Sequence, residues 1–116
     1  MKRLICTFLA VLLCLGLASC TLVGSTIKVT TDSMEPTIRA GSVIRYTPVD
    51  DPSTLATGDI VVYWTVIDGE RVSHVSRIHN IYDGGGYLIF ETKDDNAISV
   101  NPLTVHESEI IGVYKE

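Results

Sequence analysis

Ser33, in the run Asp32-Ser33-Met34-Glu35-Pro36-Thr37, has the setting that best suits nucleophilic chemistry. Pro36 biases the residue before it away from helix, so the run reads as a strand end that turns into a loop. Such a turn exposes a hydroxyl and leaves backbone N–H groups free, as an oxyanion site requires. A serine by itself is a poor nucleophile and needs a base within hydrogen-bond reach. The base candidates outside the amino-terminal apolar run are His74, His79, His106, Lys28, Lys93 and Lys115. The plain alternative for the run is a capped turn with a buried methionine at position 34.

The elements that must position Ser33 are strands. Thr26-Ile27-Lys28-Val29-Thr30 alternates as a strand does. Gly41-Ser42 is a turn before strand-like Val43-Ile44-Arg45-Tyr46, and residues 48–58 are loop-like. Residues 60–67 are β-branched and aromatic almost throughout, the strongest strand of the chain. Asp68-Gly69 signals a hairpin, and residues 71–82 return as a second long strand. Asp83-Gly84-Gly85-Gly86 turns into a strand over 87–92. Residues 93–101 are a polar loop, and residues 110–114 close as a last strand. No stretch after the apolar run keeps a helical period. The expectation is one mainly β domain over residues 26–116.

Residues 4–24 carry no charge and are long enough to span a bilayer. Lys2 and Arg3 should stay cytoplasmic, which places the domain on the extracytoplasmic face. Residues 1–25 therefore read as an uncleaved single-pass membrane anchor, as a removed signal segment, or as a lipoprotein signal whose Cys20, in Leu17-Ala18-Ser19-Cys20, becomes lipidated. The anchor and lipoprotein readings both hold the domain at membrane lipid. Cys6, Cys14 and Cys20 all lie in this segment, which leaves the domain without a disulfide framework or a cysteine metal site. The chain carries −5 overall. Seven basic and fourteen acidic residues follow the run, so the domain is −7. That balance repels phosphate backbones and argues against nucleic acid as a partner. No cofactor and no metal are expected.

The boxes Ser33-Met34-Glu35-Pro36-Thr37 with Gly41-Ser42, Gly58-Asp59-Ile60-Val61-Val62-Tyr63, Ser76-Arg77-Ile78, Thr92-Lys93-Asp94-Asp95-Asn96 and Ile110-Ile111-Gly112 stand in this order. Together they resemble the type I signal peptidase family, serine proteases that release secretory proteins from their signal peptides. The short gaps are similar to its endoplasmic-reticulum, archaeal and Gram-positive group, which pairs Ser with His. The resemblance implies a β-barrel-type domain on an amino-terminal transmembrane helix, with secretory precursor proteins as substrate. It implies Ser33 as nucleophile and a histidine base, for which His74 is the candidate here, with Asp95 as its supporting acid. Thr31, Met34 and Ser76 stand as substrate or oxyanion candidates.

Three positions depart from the family pattern. Ser76 stands where the base is expected, directly before Arg77. His74 lies two residues earlier and shares its face, and a bulge between them would move His74 into the base position. Asn101 replaces a late acid and can orient a histidine only through its amide oxygen. Asp94 replaces a glycine and adds a charge beside the site. His79 has the opposite parity and should face away, and His106 reads as solvated. The second reading is a catalytically degenerate, membrane-tethered or lipidated homologue that binds peptides.

Overall fold

The computed structural model describes residues 25–115. The apolar run and its three cysteines lie outside the described residues, and so do the anchor, signal and lipidation expectations. No helix among the described residues is long and apolar enough to cross a membrane.

Seven strands form: β1 (Ser25–Lys28), β2 (Val43–Pro48), β3 (Ile60–Ile67), β4 (Glu70–Asp83), β5 (Leu88–Lys93), β6 (Val105–His106) and β7 (Ile110–Tyr114). All pair antiparallel, in the order β1-β2-β7-β3-β4-β5-β6. The mainly β expectation is met. The sheet order ends at β1 and β6, and no ladder joins those two among the described residues. The described residues thus form one antiparallel sheet of seven strands. Strand β6 and the short 3-10 turns at Pro52–Thr54 and Glu107–Glu109 were not expected. Each is two or three residues long, too short to show a period.

β3 sits at the middle because its first four residues are apolar on both faces. Ile60 and Val62 pack with Val29, Met34, Ile38, Ile44 and Val75. Val61 and Tyr63 point the other way, onto Leu55, Ile78, Phe90 and Val105. Burying one such side chain stabilises the fold by roughly 1.5–3 kcal/mol, so both faces must be covered. One cover is residues 29–42, which form no strand or α-helix. This segment closes on itself through Gly41 N–H to Val29 O (2.6 Å), Val29 N–H to Ser42 O (2.8 Å) and Ile38 N–H to Met34 O (2.9 Å).

The β3–β4 hairpin turns at Asp68 (φ 52°) and Gly69 (φ 80°), the two left-handed residues that a tight type I′ turn requires. Its ladder is unbroken from Ile67↔Glu70 to Ile60↔Arg77. The bulge suggested between His74 and Ser76 is therefore absent. A register shift falls instead between Ile78 and Asn80, against β5. β5 begins to pair with β4 only at Arg77. Among the described residues, residues 72–76 of β4 thus pair with β3 on one side and with no strand on the other.

Gly112 of β7 lies under Tyr46. A methyl group there would meet Tyr46 Cδ2 at 2.3 Å and the Thr47 carbonyl at 2.7 Å. Gly112→Ala should therefore lower the unfolding free energy by about 1–3 kcal/mol, the usual cost of overpacking. Urea denaturation followed by tryptophan fluorescence measures this, and an unchanged midpoint would refute the packing described.

Candidate active site

Cross-strand partners share a face of the sheet, so the register sorts the site residues into two sets. His74 is opposite Tyr63, Ser76 opposite Val61, and Ile78 opposite Thr92. These residues share one face, and Asp94, two residues past Thr92, continues it. Arg77 is opposite both Ile60 and Lys93. It belongs to the other face, and Asp95, two residues past Lys93, joins it there.

On the first face three donors converge on a single oxygen, Oδ1 of Asp94. Ser76 Oγ lies at 2.5 Å, His74 Nε2 at 3.2 Å and Asn101 Nδ2 at 3.2 Å. Asn101 Nδ2 also donates to Thr92 Oγ1 (2.8 Å), which is 3.2 Å from Tyr63 OH. The Tyr63 and His74 rings meet edge to face, 5.6 Å between centroids. Burial pushes the Asp94 carboxyl up, but hydrogen bonds from His74, Ser76 and Asn101 outweigh it and hold the group below the usual carboxylate range. Burial likewise raises Tyr63 above the ordinary phenol value, against the bond to Thr92.

On the other face Asp95 is clamped. Arg77 donates Nε to Oδ1 at 2.9 Å and a terminal nitrogen to Oδ2 at 2.8 Å, and Thr37 Oγ1 also donates to Oδ2. The Arg77 hydrogen bonds are the main reason its carboxyl lies below the usual range. The next residue reaches the Ser33 loop. Asn96 N–H donates to Ser33 O at 2.9 Å, and its side chain donates to Asp32 O at 3.1 Å.

Ser33 is half-buried, with its Oγ 3.0 Å from Thr31 Oγ1. Ser33 and Thr31 line a cleft of about 230 Å³ with residues 27–30 of the chain, Ile67, and residues 72–75 of β4, including His74. Exposed Lys28 borders the same cleft. A second cleft, of about 250 Å³, shares His74 and is lined by Asp94, Asn101, Tyr63 and Leu103. His74 therefore stands between the Ser33 cleft and the polar network.

The expected site residues thus fall into groups. Ser33, Thr31 and His74 come to one cleft. The carboxylate bonded to His74 is Asp94, whereas Asp95 serves Arg77 and Thr37. Asn101 meets Asp94 through its amide nitrogen rather than meeting His74 through its oxygen. Met34 and Ser76 are fully buried. His79 is exposed at the bulge. Exposed His106 accepts from Ser108 N–H and stacks on Tyr87, 4.8 Å between ring centroids.

The described residues thus form a seven-stranded antiparallel sheet in which Ser33 and His74 line one cleft. Among curated proteins the chain is similar to signal peptidase I W of Bacillus subtilis (strain 168). The two are 30% identical over 92 residues, which cover 78% of this chain and 47% of that protein. The chain thus spans about half the length of the relative, and the likeness supports a distant type I signal peptidase relationship. No family model and no solved structure matches the chain.

The Asp95 clamp has a pH signature. An unfolded aspartate titrates near about 3.9, and the folded value is lower. The stabilisation is therefore complete above roughly pH 5 and is lost as pH falls through the folded value. Wild type should lose unfolding free energy between about pH 5 and pH 2. Asp95→Asn should start less stable at neutral pH and lose less over that range. Chemical denaturation at several pH values tests this, and parallel curves would exclude the clamp.

Proposed function

We propose that this chain is a membrane-associated serine endopeptidase that removes signal peptides from secretory precursor proteins, with Ser33 as nucleophile and His74 as general base. The observation that carries this reading is the single cleft shared by Ser33, Thr31 and His74. The distant likeness to a signal peptidase supports the choice of substrate.

The chemistry is acyl transfer. His74 takes the Ser33 proton as Oγ attacks the scissile carbonyl. Backbone N–H of Ser33 and the Thr31 hydroxyl receive the negative charge on the carbonyl oxygen. The imidazolium then protonates the leaving amine, and water resolves the acyl-enzyme. The open edge of β4 at residues 72–76 offers unpaired backbone groups beside the cleft. An extended precursor segment can pair there as an added strand, which sets the scissile bond against Ser33.

One observation favours the second reading, a degenerate homologue that binds peptides without cutting them. The residue directly before Arg77 is Ser76, whose hydroxyl faces inward onto Asp94. The two readings separate on the full chain in membranes, incubated with a membrane-inserted precursor. Wild type should cleave, Ser33→Ala should lose at least about 10³-fold in rate, and His74→Ala about 10²–10⁴-fold. Equal product from wild type and Ser33→Ala would end the protease reading. Loss in Lys28→Ala with full activity in His74→Ala would move the base to Lys28.

A further inference from the structure

We propose that Asp94 is the positioning carboxylate of the site: it fixes the His74 proton on Nε2 and leaves Nδ1 as the lone pair that receives the Ser33 proton. This inference rests on the protease reading above and deepens it.

The geometry supplies the argument. Asp94 is 9% exposed, and a carboxylate so enclosed needs donors around it. It has three, all on Oδ1: Ser76, His74 and Asn101. An ionised carboxylate only accepts hydrogen bonds, so His74 Nε2 must be the donor. The depressed carboxyl value agrees with the ionised form. A neutral imidazole carries one N–H, so Nδ1 is then the free acceptor. Asp95 cannot play this part, because the sheet turns it to the opposite face and Arg77 and Thr37 occupy both its oxygens.

The departures from the family pattern then form one set. The expected base position holds Ser76, which donates a hydrogen bond to Asp94. The expected late acid is Asn101, which donates to the same oxygen. A histidine stands two residues back along β4, on the same face, and an aspartate stands at position 94 within reach of it. Histidine and carboxylate thus share one face, and Ser76 and Asn101 brace the carboxylate.

Each proton is accounted for. Ser33 Oγ–H gives its proton to Nδ1 as the Oγ–C bond forms. That proton passes to the leaving nitrogen as the C–N bond breaks. A water then loses a proton to Nδ1 and adds as hydroxide to the acyl carbon. The same proton returns to Ser33 Oγ as the ester opens. Nε2–H stays on Asp94 throughout, and the carboxylate stabilises the transient imidazolium without taking its proton.

Two measurements test the assignment. The first is the ring-nitrogen NMR spectrum of the full chain in detergent micelles, labelled with ¹⁵N in histidine and recorded where His74 is neutral. Wild type should show a protonated Nε2 and a bare Nδ1. Asp94→Ala should show exchange between tautomers, and Asp95→Ala should keep the wild-type pattern. A protonated Nδ1 in wild type overturns the proposal, and this reading needs neither cleavage nor a folded variant. The second is a kinetic cycle. Asp94→Ala should lower kcat by about 10²–10⁴-fold with KM within about threefold, since Asp94 touches no substrate. His74→Ala combined with Asp94→Ala should cost no more than His74→Ala alone. Losses that multiply would overturn the coupling. If wild type cleaves no precursor, the protease reading fails while the tautomer spectrum still judges the role of Asp94 toward His74.

Discussion

The two-sided burial of β3 is the constraint on which the rest of the structure depends. Val61 and Val62 have no exposed surface, and Ile60 and Tyr63 have almost none. A strand that is apolar on both faces must be sandwiched. In a domain this small, one cover has to come from a stretch without regular structure. Residues 29–42 take that place, anchored by Val29, Met34 and Ile38. Ser33 sits between these anchors, so the packing of β3 also fixes the height and orientation of the candidate nucleophile. The other face of the sheet receives Tyr63, Thr92, Ser76 and Asp94, and the polar network forms there.

That network is held by mutual need. A buried carboxylate is costly unless it is well bonded, and removing one partner of such a group usually costs more than the bond itself contributes. Asp94 has its donors, and no buried side-chain polar atom among the described residues lacks a hydrogen bond. A network satisfied in this way is rigid. Rigidity of this kind holds the His74 ring in one orientation against Asp94 and Tyr63.

Much of this was legible in the sequence. β-branched and aromatic content together with the turns at Asp68-Gly69 and Asp83–Gly86 place β3, β4 and β5 to within a residue. The shared face of His74 and Ser76 followed from parity alone. Asp94 was seen as an added charge, but the supporting role went to Asp95 through the resemblance. Parity carried the missing signal. Once Thr92 sits opposite Ile78, every second residue from it faces His74, and that rule selects position 94. The register that sets Thr92 opposite Ile78 depends on the shift between Ile78 and Asn80, and local patterning does not announce such a shift. β6 and the open sheet order were hidden for a related reason. Two-residue pairings and edge closure are decided by distant partners, not by local pattern.

The fastening of the Asn96 loop to the nucleophile loop also bears on the order of events during folding. The bond from Asn96 to Asp32 spans 64 residues of chain, and that from Thr37 to Asp95 spans 58. Contacts between such distant residues form late, because their loop entropy is repaid only after the intervening strands have paired. The serine therefore meets its surroundings only when nearly the whole sheet exists. A chain whose sheet is only partly formed holds the same residues but no assembled cleft.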